Sequence, residues 1–204
     1  MANENNRVRL KGTLCELPSF SHRIYGEGFY SMVLAVPRLS GAADYVPITV
    51  SERLLTGIDA EYGQNLAVDG QFRSYNNYSD TGSRLQLTVF TKSIENIEED
   101  DISEPNDIFL DGYLCKEPIY RQTPFGREIS DMLIAVNRAY NKSDYIPVIA
   151  WSRNARFCSG LPVGTHIKIY GRVQSREYQK KTEEDYIVKT AYEISASKLE
   201  MPEE

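Results

Sequence analysis

Hydrophobic residues in this chain recur mostly at every second position, the period of a half-buried strand. After Asp144, Ile146, Val148 and Ala150 point one way, and Tyr145, Pro147, Ile149 and Trp151 point the other. An earlier segment repeats the pattern, with Val46, Ile48 and Val50 set against Tyr45, Pro47, Thr49 and Ser51. The second set is the more polar there, so that face is the outer one. Helical periodicity is scarce. One short helix is predicted in each half, Ser51 to Leu55 and Ser152 to Phe157, with Gly160 soon after the latter.

The two segments belong to an internal repeat at an offset of 100 residues. Gly12-Thr-Leu-Cys-Glu-Leu-Pro18 matches Gly112-Tyr-Leu-Cys-Lys-Glu-Pro118, and Met32 to Arg38 matches Met132 to Arg138. From Leu10 to Arg53 there are 14 identities in 44 positions, where unrelated sequences of ordinary composition would share about 3. The offset later drifts to 101 and then about 105, which places the insertions of the second copy in loops, mainly between Tyr178 and Asp185. Two domains are expected, 1–98 and 105–204, joined by an acidic linker at 99–104. Each copy reads as three strands, a helix and two strands. That order suits an all-β fold of two tandem OB-type Greek-key barrels, each with one short helix.

The segment from His166 to Tyr178 carries the most chemistry. If it is extended, Ile167, Ile169, Gly171 and Val173 face the core, and His166, Lys168, Tyr170, Arg172, Gln174, Arg176 and Tyr178 face outward. Cations interleaved with rings suit an unpaired nucleic-acid strand: cations neutralise phosphates, and rings stack on bases. The pattern also fits an ordinary solvated strand face. Trp151, the only tryptophan, lies on the adjoining outer face, where a large ring is either covered or used.

These residues carry a family resemblance. Asp144-Tyr-Ile-Pro-Val-Ile-Ala-Trp-Ser-Arg-Asn-Ala155 resembles the middle strand and following helix of bacterial single-stranded DNA-binding proteins. Ile169 to Tyr178 is similar to that family's next strand and hairpin, and Lys189 to Glu200 to its last strand. The first copy matches more weakly, through Gly12-Thr-Leu14, Leu34-Ala-Val36 and Asp44-Tyr-Val-Pro-Ile48. The resemblance implies OB barrels that stack DNA bases on four aromatic positions, in replication, recombination or repair. Those positions fall on Tyr140, Tyr145, Trp151 and Tyr178 in copy two. In copy one they fall on Ser40, Tyr45, Ser51 and near Asn77, which is flanked by Tyr75 and Tyr78. Lys168, Tyr170, Arg172, Arg176 and Arg138, with Arg73 in copy one, complete the expected contacts. The DNA-binding face of copy one therefore reads as degenerate.

Net charge is −6, which argues against a generic basic binder. Residues 1–100 hold 9 Lys and Arg against 13 Asp and Glu, whereas residues 106–204 hold 14 of each. Much of the acid in copy two lies in loops and tail, so its proposed face can be basic within an acidic protein. Family members usually end in an acidic tail with a Pro-Phe tip, which is not expected to operate through Met201-Pro-Glu-Glu204.

Three cysteines without a Cys-x-x-Cys suggest neither a disulfide framework nor a zinc site. Cys15, Cys115 and Cys158 read as core or structural residues, and Asp44 and Asp144 as turn or strand-start residues. No nucleophile motif or phosphate-cradling glycine loop occurs. The expectation is a cytosolic, non-enzymatic protein without cofactor, metal or membrane contact. It would bind single-stranded DNA with little sequence preference. Alternatives are an accessory or primosomal OB protein for other nucleic acid such as RNA, and a protein–protein adaptor on the same scaffold. A homodimer would restore the four barrels that the resemblance implies. Strand edges near Val8 to Thr13 would be covered by pairing across copies or chains.

Overall fold

Alternation of buried and exposed residues is realised in nearly every strand of the computed structural model, which describes residues 5–79, 82–181 and 186–202. The first copy comprises β1 (Asn6–Ile24), β2 (Glu27–Pro37), β3 (Ala43–Ser51), α1 (Glu52–Leu55), β4 (Asn65–Ser79) and β5 (Gly82–Asn96). The second comprises β6 (Asn106–Leu114), β7 (Ile119–Gln122), β8 (Glu128–Arg138), β9 (Lys142–Trp151), α2 (Arg153–Cys158), β10 (His166–Lys181) and β11 (Tyr186–Glu200). The strands form one continuous ladder, β2-β3-β5-β4-β1-β6-β10-β11-β9-β8-β7. Extra pairings of β1 with β2 and of β6 with β8 close it into two barrels. Two tandem OB barrels with one short helix each are thus what the chain forms. Copy two departs from the expected order in one respect: its first strand is divided at Cys115–Pro118 into β6 and β7, whereas register shifts keep β1 continuous past Pro18.

Glycine permits each closure. A Cβ on Gly12 would lie 2.3 Å from the Ala35 carbonyl oxygen, and one on Gly112 would lie 2.6 Å from that of Ala135. Gly171, on β10, is tighter still, with its would-be Cβ 2.2 Å from the Ser195 carbonyl oxygen. Gly171→Ala must push β10 from β11 and is expected to cost about 1–3 kcal/mol. Gly160→Ala, which meets nothing within 4 Å, is the neutral control in urea unfolding. Equal midpoints for the two variants would count against this account.

The barrels join edge to edge. Strand β1 runs antiparallel to β6 with Val8 opposite Ile108, Arg7 opposite Phe109 and Arg9 opposite Asp107. Val8 and Ile108 are repeat equivalents, so a local two-fold axis passes through that pair. Much of the β1 edge in question is covered within the chain. Both residues are fully buried, and the cores on either side form one apolar cluster. Asn6 and Asn106 sit at equivalent places beside the seam. Each side-chain amide donates to a backbone carbonyl and accepts from the amide of the same residue, Phe72 and Val173 respectively.

A second set of bonds crosses between the barrels and corrects the expectation for Asp44 and Asp144. Both are buried, and each reaches into the other barrel. Asp44 accepts from the Ser175 amide at 2.7 Å and from Arg172 Nη1 at 3.0 Å, and it is held from its own side by Arg38. Asp144 accepts from the Ser74 amide at 2.9 Å and from Arg138 Nη1 at 3.3 Å. The serines reciprocate, with Ser175 Oγ accepting from the Tyr45 amide and Ser74 Oγ from the Tyr145 amide. The acidic connector is also tied down: Lys11 donates through Nζ to the Asp101 carbonyl and through its backbone to that of Pro105.

Cys15, on β1, and Cys115, just past β6, are likewise not core. Cys15 and Cys115 are half-buried, and each thiol sits beside one carbonyl, of Val33 or Leu133. Burial raises both pKa values. Cys158, the last residue of α2, is buried and pushed up to about 11 by desolvation.

Candidate nucleic-acid interface

The four aromatic positions of copy two lie on its outer surface. Tyr140 stands at the β8–β9 turn, 94% exposed, with φ of +63°. A bulky residue rarely adopts that conformation, so the turn holds a ring in solvent at a conformational cost. In copy one the next position, Gly41, takes the positive φ instead. Tyr145 lies near the start of β9 and is exposed. Trp151 ends β9 half-buried, and its indole N–H donates to Ser195 Oγ at 3.2 Å. The chain then turns sharply at Ser152, φ +51°, into α2. Tyr178 lies far along β10, opposite Lys189, and is exposed.

The stripe on β10 is not the bare cationic track that alternation suggests. His166 pairs with Asp111 and stacks on Tyr113. The Tyr170 hydroxyl donates to Glu200, and its ring lies 5.1 Å from that of Phe109. Arg172 is engaged by Asp44 and Gln174, and Gln174 by Glu193. Arg176 stands 3.7 Å from the Glu193 carboxylate with half its side chain exposed. Lys168 is half-buried near the start of the strand. The cause is topological. This half of β10 pairs with β6 and adjoins the other barrel, so its outward side chains meet partners instead of water. Arg138 is similarly drawn to Asp144, with its guanidinium 6.0 Å from the Tyr75 ring.

Tyr75 is therefore positioned against copy two. Its barrel-one ring shares the seam with Arg138 and with Tyr145, whose amide is held by neighbouring Ser74. Tyr45, exposed near the start of β3, donates its amide to Ser175 Oγ, one residue before Arg176. Arg73 lies 4.0 Å over the Phe90 ring and donates to Gln71. The side chains of Tyr78 and Asn77 lie outside the described residues.

The cross-barrel set of Asp44, Asp144, Arg38, Ser74 and Ser175 was not singled out from sequence as linking the copies. A signal existed: all are identical between copies, and so are Asn6 and Asn106. Polar identities retained in a diverged repeat mark groups that the architecture satisfies internally.

Among the described residues no group of His, Cys, Asp or Glu could hold a metal ion, and no helix is long and apolar enough to cross a membrane. Residues 105–202 match the single-strand binding protein family. Single-stranded DNA-binding protein 2 of Chlorobaculum tepidum is 29% identical over 107 residues, which are 48% of this chain and 70% of that protein. Several other curated relatives, including single-stranded DNA-binding protein A of Bacillus subtilis, 32% identical, match over 36% of this chain, and the match spans about half of their length. The single-stranded DNA binding protein from Thermus aquaticus, in a deletion mutant structure, superposes over 100% of this chain and 97% of its own with TM-score 0.78 at 24% identity. That likeness extends the shared fold over both barrels. The second copy thus matches the single-strand binding protein family, and both barrels share the fold of the Thermus aquaticus protein.

Proposed function

We propose that this protein binds single-stranded DNA with little sequence preference, stacking bases on Tyr140, Tyr145, Trp151 and Tyr178, in replication, recombination or repair. The observation that carries the reading is the placement of these aromatics, three exposed and Trp151 half-buried, on the outer surface of the barrel that matches the family. Because much of the β10 stripe is internally paired, phosphate contacts fall mainly to Arg176 and Lys168, with Arg138 and Arg172 serving chiefly to join the barrels. Tyr45 and Tyr75 extend the surface across the seam. The activity is binding without catalysis, in the cytoplasm. The boundaries 1–98 and 105–204 belong to this proposal, as does a homodimer of four barrels.

The test is a titration of the full chain with labelled oligo-dT, oligo-rU and duplex DNA at two salt concentrations. The expected result is preference for the single strand, a falling affinity with salt and quenching of Trp151 emission. Unchanged emission at saturating oligo-dT would remove Trp151 from the site, and equal affinity for duplex would sink the reading. Sedimentation at micromolar protein checks assembly: a mass of 23.2 kDa, unchanged by oligo-dT, would leave a two-barrel binder.

A further inference from the structure

The barrel that looked degenerate carries an open groove of about 490 Å³ between β2, β3, α1 and β5. Phe29 and Phe90 line it side by side, ring centroids 5.7 Å apart. Ser51, Arg53, Thr91 and Lys92 line it as well. Neither residue that stacks on these rings lines the groove. His22 lies on Phe29 at 5.2 Å, and the Arg73 guanidinium lies over Phe90 at 4.0 Å. One face of each ring is thus taken, by His22 and by Arg73. Thr91 is 5% exposed, and its hydroxyl has no hydrogen-bond partner among the described residues. A buried orphan hydroxyl in a groove wall is an unmet requirement that a ligand can satisfy.

The ladder explains why sequence alignment missed this. In barrel two Ile149 of β9 pairs with Ser195 of β11, and in barrel one Thr49 of β3 pairs with Phe90 of β5. Phe90 is therefore the counterpart of Ser195, and Ser51 the counterpart of Trp151. Trp151 and Ser195 touch through the indole hydrogen bond. Their counterparts Ser51 and Phe90 line one groove. The large and small partners have exchanged strands, and barrel one supplies its ring from β5.

We infer that this groove is a second contact site for the single strand, seating an unpaired base against Phe29 and Phe90 with Arg53 and Lys92 toward the backbone phosphates. The class of ligand follows from the wall. Flat apolar rings accept a base face, hydroxyls accept or donate at its edge, and exposed cations neutralise phosphate. The one carboxylate in the lining, Glu27, accepts from the Arg53 backbone amide. The inference rests on the proposed DNA-binding activity and places part of it in barrel one.

The experiment uses the full chain and an oligo-dT carrying 5-iodouridine, cross-linked with long-wavelength light and mapped by peptide mass. Adducts are expected at Phe90 or Phe29 as well as in barrel two. Phe90→Leu keeps the apolar volume and removes the ring face, and should weaken oligo-dT binding about fivefold or more while leaving Trp151 quenching at saturation intact. Arg53→Ala with Lys92→Ala should lower the salt dependence of binding by about one to two phosphate contacts. Adducts confined to barrel two, with Phe90→Leu binding like the parent, would overturn this site and leave the activity standing. Absence of both binding and adducts would overturn the activity itself.

Discussion

Asp44→Ala is expected to lower the unfolding free energy by about 3–5 kcal/mol, the cost of breaking a buried ion pair from one side. The carboxylate is fully buried and receives Arg38, Arg172 and the Ser175 amide. Alanine leaves the Ser175 N–H unmet and removes the ion pair from two guanidinium groups, Arg38 keeping the Ser175 carbonyl and Arg172 keeping Gln174. Two of those three donors belong to the other barrel, so the loss is also one of coupling. For a chain of this size the midpoint should fall by roughly 6–20 °C, and the single transition of the parent should broaden or divide. Asp44→Asn keeps an acceptor for Ser175 and should lose less. A midpoint within a degree or two of the parent for Asp44→Ala would show that the clamp contributes nothing.

Asp144, the repeat equivalent, should behave differently. It receives fewer bonds, and burial raises its pKa, while the Ser74 amide, Arg138 and Arg73 pull the other way. A carboxyl with a raised folded pKa contributes stability that is complete below its unfolded value of about 3.9. That contribution is lost as pH rises through the folded value. Asp144→Asn, which cannot ionise, should flatten this part of the stability profile. If the variant and parent profiles ran parallel from pH 3 to 7, the group would not be titrating in this way.

Alternation along strands made the barrels legible, because the β period of two assigns each side chain to a face without knowledge of partners. The repeat made their number legible, as did Gly12 and Gly112, where closure forbids a side chain. The seam was not legible by the same means. Which carboxylate meets Arg172 depends on β1 pairing with β6, a contact between strands 100 residues apart. Reading β10 by itself therefore made a paired row look like a free cationic one. The site was half legible for a related reason. Tyr140, Tyr145 and Tyr178 are exposed as expected, but Phe90 sits on a different strand from the ring it corresponds to, and only the ladder register relates them.

The largest effect on binding is expected from Trp151→Ala combined with Tyr178→Ala. Each ring should contribute about 1–3 kcal/mol through stacking. They stand on different strands, β9 and β10, and no shared hydrogen bond links them, so their losses should add to about 2–6 kcal/mol. At roughly 1.4 kcal/mol per factor of ten, oligo-dT affinity would fall by between about 30-fold and 20,000-fold. Trp151 also donates to Ser195, and Trp151→Phe separates the two roles by keeping a ring and losing the donor. Stacking predicts that Phe retains most of the affinity. Labelled oligo-dT anisotropy is the readout, since the double variant has no tryptophan to report. The salt slope should stay that of the parent, because rings contact bases while Arg176 and Lys168 contact phosphates. Arg176→Ala should do the reverse, lowering the slope by about one contact with a modest loss of affinity. If the double variant bound within threefold of the parent, the outer aromatics would not be the stacking surface, and Tyr45 and Tyr75 at the seam would become the rings to remove next.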